Sequence, residues 1–169
     1  SICGTSTGSW TAFPVAFQTL CDVYSNSFYE GFDTTATGGT TNNTVPTCWS
    51  YIGATSGYYG YTSTDSSRTT GGNGFRYYKT IANATADLLL VSPPTNNLGN
   101  GTKQIRFWVK LTSGTANVPV YTLNGNSANA TKTQIALIPA TTTWTEYTVG
   151  LPITTDDYFA IGYLDNSAT

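Results

Sequence analysis

Any chemistry in this chain has to be done without histidine. The 169 residues contain none, and only nine are Asp or Glu. The usual general base is therefore missing, and with it the Ser-His-Asp and Cys-His arrangements and most zinc sites. Carboxylate pairs remain. A glycosidase needs two carboxyl groups held about 5–10 Å apart across a cleft. Glu30, Asp33, Asp65, Asp87, Glu146 and Asp165 could supply two, but no spacing singles out a pair. The adjacent Asp156-Asp157 would point to opposite faces of a strand, so it reads as the end of a turn. The expectation is a protein that is not an enzyme.

Binding chemistry fits these residues better. Calcium takes about six to eight oxygens from carboxylates, amides and backbone carbonyls. Glu30 and Asp33 lie on or just after a short aromatic stretch, Phe28-Tyr29-Glu30-Gly31-Phe32-Asp33, and Asn73 lies in a Gly-rich loop. These three could form a cation site; otherwise Glu30 is an exposed strand residue and Asp33 caps a turn. Trp108 sits between Arg106 and Lys110 on the polar face of an alternating strand. An exposed indole with nearby donors can stack on a sugar ring; otherwise Trp108 packs beneath a loop, since Trp is usually well buried. Tyr59 and Tyr61 share a face opposite Tyr58, a second candidate surface of which part must be core.

The elements that would hold these residues are β-strands in a polar, weakly charged shell. Charged residues are 9% of the chain and aromatics 14%. Disordered chains lack such an aromatic load. The solvent face must be built from Thr, Ser, Asn and Gly, which suits a secreted protein at an extracellular or cell-surface location. The net charge of −2 comes without a basic cluster, which argues against nucleic acid and anionic membranes. No apolar run is long enough to insert in a bilayer, and no leader pattern is present. The first residues read as mid-domain sequence, so a longer parent chain is expected.

The chain is organised around Leu20 to Trp49, where Cys21 and Cys48 bracket the aromatic stretch and a Thr/Gly/Asn loop, Thr34 to Asn43. Three cysteines are an odd number. Pairing Cys21 with Cys48 would contribute roughly 3–4 kcal/mol in the chain-entropy model and leaves Cys3 for a partner elsewhere. Three reduced thiols are the alternative. The four sequons, at Asn42, Asn83, Asn100 and Asn129, are expected by chance in so Thr/Asn-rich a chain.

Strands recur at short intervals with turn clusters between them: Phe28 to Asp33, Tyr51-Ile52, Tyr58 to Tyr61, Phe75 to Thr80, Ala86 to Val91, Gln104 to Leu111, Val118 to Leu123, Thr133 to Ile138, Thr145 to Leu151 and Tyr158 to Leu164. Asn124-Gly125 marks a hairpin. Ile105, Phe107, Val109 and Leu111 alternate with Arg106, Trp108 and Lys110. No stretch has helical periodicity, so the fold class is an all-β antiparallel sandwich.

Two resemblances refine this reading. Cys3-Gly4, Trp10 and Phe17 to Cys21 resemble the last two strands of a fibronectin type III domain of secreted Bacteroidetes proteins. That makes residues 1–22 its C-terminal remnant or a linker, with a strand at Phe13 to Leu20. Residues 23–169 resemble the MAM-like and cleaved-adhesin jelly rolls of type IX-secreted surface proteins. The motifs are Glu30-Gly31-Phe32, Pro46-x-Cys48-Trp49, the small-residue loop at Gly72 with Phe75, Leu89 to Pro94, Ile105 to Trp108, and Trp144 to Val149. The resemblance implies a non-catalytic module of a large cell-surface adhesin, binding an extracellular glycan or protein surface or neighbouring copies of itself. A carbohydrate-binding module of a polysaccharide-degrading enzyme is the alternative. It also implies a structural calcium near Glu30, Asp33 and Asn73. Such rolls end in a further strand beside the opening one, and this chain stops at Asp165 to Thr169 where that strand would begin. The roll is thus expected to lack its last strand, supplied either by a continuation past Thr169 or by Phe13 to Leu20 of a neighbouring copy.

Overall fold

The computed structural model describes residues 21–53, 57–80 and 88–165. The expectations for Cys3, for the strand at Phe13 to Leu20, for the fibronectin-like remnant up to Leu20, and for Asn83, Ala86 and Asp87 lie outside them, as do those for the tail beyond Asp165. Among the described residues nine strands follow in order: β1 (Ser50–Ile52), β2 (Tyr58–Ser63), β3 (Gly74–Lys79), β4 (Leu88–Val91), β5 (Gln104–Val109), β6 (Ala116–Leu123), β7 (Lys132–Pro139), β8 (Thr145–Gly150) and β9 (Tyr158–Asp165). A 3-10 turn, Thr64–Ser66, follows β2. Every named strand pair is antiparallel, and the fold is a β-sandwich, as alternation and turn spacing require.

The larger sheet runs β1-β4-β9-β6-β7, beside two paired ribbons, β2-β3 and β5-β8. Strand alternation decides which residues meet between them. Ile105 of β5 and Val149 of β8 pack with Leu98, Leu151, Val120 of β6 and Phe159 of β9. The next residues along, Tyr121 and Ala160, belong with Leu89, Val91 and Leu123 to a second cluster on the sheet's other face. With both faces covered, the run Leu88 to Val91 is buried throughout, which is why it shows no polar alternation.

Pro119 lies within β6, a strand paired on both sides, where a missing N–H would normally disrupt a ladder. The pairing of β6 with β9 passes from Asn117↔Leu164 to Val120↔Ile161 without Val118 or Pro119. Gly162 lies opposite, and a Cβ there would stand 2.9 Å from the Pro119 Cγ. The ring fits because β9 carries no side chain at that point, and the register of β6 with β7 shifts just beyond it, between Val120 and Tyr121.

The opening stretch departs from expectation. Phe28 to Asp33 forms no strand; the segment 21–49 holds no named strand, and it meets the rest of the fold through a parallel bridge, Tyr24↔Thr95, and through loop bonds from Gly38 and Thr44 to Thr62 of β2. The reason lies at Phe32. Phe32 has φ 65°, a left-handed conformation that ends extended backbone in a residue with a Cβ. Phe28 instead turns its ring inward, 6.2 Å from Trp49 and 6.3 Å from Phe159. The expected unpaired strand edge at Phe28 to Phe32 is therefore replaced by an irregular segment anchored by aromatic packing and by the Cys21–Cys48 disulfide, whose Cα atoms are 5.5 Å apart. The Asn124-Gly125 turn is likewise longer than two residues. Asn124 and Thr131 close it, with Asn124 N–H donating to Thr131 O at 3.2 Å and Thr131 N–H to Asn124 Oδ1 at 2.9 Å.

Candidate functional site

Two groups of candidate residues come together. Around Phe32, Glu30 Oε1 accepts the Phe32 N–H at 2.6 Å and Asp33 Oδ1 accepts the Asn73 N–H at 2.7 Å. The Asn73 amide donates to Phe32 O at 3.3 Å and Thr35 O at 3.2 Å. Glu30, Asp33 and Asn73 thus meet across about forty residues of chain, though Asn73 makes its contacts here as a donor. A left-handed aromatic residue is strained by roughly 1–2 kcal/mol, and these bonds hold it there. The Phe32 ring adds contacts with Trp49 and Phe75, at 6.4 and 6.2 Å. Among the described residues no three carboxylate or cysteine groups cluster, so a cation at this place would depend on amide and backbone oxygens as well as the two carboxylates.

The second group is the outer face of the β5-β8 ribbon. Arg106 and Trp108 point outward, with Lys110 exposed just beyond the strand. Trp108 is 42% exposed, so the loop that reaches it leaves it open to solvent. The Arg68 guanidinium, from the loop between β2 and β3, sits over its ring at 4.4 Å from the centroid. Arg106 Nε lies 3.5 Å from Glu146 Oε1 of β8, an exposed pair that contributes at most about 1 kcal/mol. Arg68 was not among the residues the sequence singled out. It is the one basic residue of a Ser/Thr/Gly loop, and no periodicity connects it with β5.

Tyr59 and Tyr61 do not form a joint surface. Tyr59 stacks on Tyr78 at 6.2 Å, with Arg76 over the Tyr78 ring at 4.9 Å. Tyr61 is only 7% exposed and offers nothing to a ligand. The Thr/Gly/Asn loop covers it: Gly38 N–H donates to Thr62 O at 2.9 Å, and Thr62 N–H to Thr44 O at 3.1 Å. Gly38 is required there, since a Cβ would lie 2.8 Å from the Tyr61 Cβ and 2.4 Å from Asn42 O.

No protein-family model and no curated protein matches the chain. Among solved structures, the K1 cleaved adhesin domain of Lys-gingipain from Porphyromonas gingivalis W83 aligns with a TM-score of 0.56 at 20% identity, over 80% of this chain and 86% of that one. The fold is similar to that of an adhesin domain. At this identity the likeness is one of architecture, and the residues of the two candidate groups stand on their own geometry.

A polar cleft of about 330 Å³ lies between the β4–β5 and β8–β9 loops, lined by Asn96, Asn97, Asn100, Thr154, Asp156 and Asp157 among others. Asp156 and Asp157 do lie in a loop. The Asp156 N–H is held by Thr154 Oγ1 at 3.1 Å, and Asp157 O accepts the Thr95 N–H at 2.8 Å. No helix of the described residues is long and apolar enough to cross a membrane.

Proposed function

We propose that the chain is a non-catalytic extracellular module that works in attachment, as part of a larger secreted cell-surface adhesin. The likeness of its fold to a cleaved adhesin domain carries the reading. The Cys21–Cys48 disulfide agrees with it, because such bonds persist in oxidising, extracellular compartments. The MAM-like assignment, the fibronectin-like remnant at residues 1–22 and export by the type IX route belong to the same reading and rest on sequence motifs. So does a structural calcium. Glu30 and Asp33 would each offer it a carboxylate oxygen, with Asn73 and nearby backbone carbonyls completing the shell; the strain at Phe32 is the observation that favours a site here. A carbohydrate-binding module of a degradative enzyme is the second reading, favoured by the exposed Trp108.

The test is attachment of the purified chain to host-cell and matrix surfaces, with polysaccharide hydrolysis followed in parallel. Saturable attachment without hydrolysis is expected; turnover of a polysaccharide, or attachment to no surface, rejects the reading. For calcium, melting in its presence is compared with melting in chelator. A ligand at a hundred times its Kd adds about 2.7 kcal/mol, so a clear rise in Tm is expected, lost in Asp33→Asn. Identical melts would reject the ion alone.

A further inference from the structure

The outer face of the β5-β8 ribbon has more order than an ordinary solvent face needs. Trp108 pairs across the ribbon with Glu146, and Arg106 with Thr148. Arg106, Trp108, Lys110, Glu146 and Thr148 are all exposed, on the side opposite the buried pair Ile105 and Val149. Same-face neighbours on a strand are about 6.6 Å apart, so Arg106 to Lys110 spans roughly 13 Å of flat surface. Arg68 arrives from a separate loop and lies over the indole. The chain has seven basic residues; one of them, Arg68, lies over this ring, and two more, Arg106 and Lys110, flank Trp108 in sequence and are exposed.

We infer that this face binds an anionic polysaccharide, its acidic group held by Arg68 and its sugar ring resting against Trp108. The inference rests on the attachment reading and names its ligand. Charge decides the sign of the ligand: three cations stand against Glu146, and Glu146 is engaged with Arg106. An arginine over an aromatic ring keeps its planar fork of N–H donors, the geometry that suits carboxylate and sulfate groups. The surroundings decide between glycan and protein. A protein hot spot needs an apolar centre sealed from water, whereas the groups placed beside Trp108, with Arg68 over the ring, Glu146 opposite and Arg106 two residues away, are all charged. A hydroxylated, charged polymer makes use of both the ring and the donors. Arg106 and Lys110 extend the positive charge along the strand, so a chain of repeating acidic units gains more than a single one does.

The experiment is calorimetric titration of the full chain with polygalacturonate, dextran sulfate and neutral dextran, at low and high salt. Binding to at least one anionic polymer is expected, weakened by salt, with none to neutral dextran. The polymer preferred tells carboxylate from sulfate. Trp108→Thr keeps strand propensity and should lower affinity about tenfold or more, the loss typical of a binding hot spot. Arg68→Gln should lower it as well, while Arg76→Gln, which removes a cation elsewhere, should leave it unchanged. Circular dichroism checks that each variant is folded. The inference is overturned if neither acidic polymer binds, if neutral dextran binds equally, or if Arg76→Gln weakens binding as much as Arg68→Gln. Binding of an acidic protein but of no acidic glycan overturns it too. If the wild-type chain attaches to surfaces and Trp108→Thr attaches equally, this face is wrong and the attachment reading stands. If the wild type attaches to nothing, the broader reading has failed.

Discussion

Tyr77→Phe is the substitution that most directly tests how the β2-β3 ribbon is fixed to the large sheet. Tyr77 reaches from β3 into the β4-β9 ladder. Its hydroxyl accepts the Leu90 N–H at 2.9 Å and donates to Ile161 O. Leu90 and Ile161 are register partners, so the phenol stands between two backbone groups of facing residues. The residue keeps some exposure, but its hydroxyl end is buried. Removing the oxygen takes away two hydrogen bonds, each contributing about 1 kcal/mol, and leaves a buried donor and acceptor whose desolvation costs about 1–3 kcal/mol apiece. Allowing for partial relaxation, the expected loss is about 2–4 kcal/mol. For a chain of this size that corresponds to a fall in Tm of roughly 5–15 °C. Urea unfolding followed by Trp fluorescence measures it, and hydrogen exchange at the Leu90 amide reports the local effect. The ring itself is retained, including its stack on Tyr163 at 6.2 Å, so packing is not a competing explanation. A loss below about 0.5 kcal/mol, well under one net hydrogen bond, would refute the argument by showing that the two strands bond directly once the phenol is gone.

Two further outcomes follow from the same packing. Burial pushes the Tyr51 phenol up to about 12 and raises Tyr77 further, against the opposing effect of its bond from Leu90. Both are acids held neutral by the fold, so the unfolded chain releases their protons first. Their contribution to stability is complete below pH ~10, the unfolded phenol value, and is lost as pH rises from there through the folded values. Tyrosinate absorbance should therefore lag behind pH until circular dichroism falls; all phenols titrating near pH ~10 with the fold intact would contradict this. Replacing both Cys21 and Cys48 by Ser should lower stability by about 3–4 kcal/mol, the chain-entropy value for a loop of this length. An unchanged urea midpoint would mean that the irregular segment 21–49 is held by Phe28 and Trp49 without the bond.

What the sequence determined by itself is what depends on neighbours along the chain. Period-two alternation from Gln104 to Val109 is a property of consecutive side chains on a pleat, and it placed Ile105 inward and Trp108 outward before any partner was known. The apolar run Leu88 to Val91 declared itself buried in the same way. Among the described residues, the one strand expected but not formed, Phe28 to Asp33, has good strand composition; it fails because Phe32 is turned left-handed by groups that include Asn73, some forty residues on. The rest was decided by contacts between segments distant in sequence. Tyr77 bonds to Ile161 across 84 positions. The loop carrying Gly38 and Thr44 covers Tyr61 by bonding to Thr62. Arg68 meets Trp108 only when the β2-β3 loop folds over β5. Local propensity acts over a few residues, whereas a loop bond or a cation over a ring is selected by the whole packing. That is why the strands could be read from the chain, while the contact that brings Arg68 onto Trp108 required the fold.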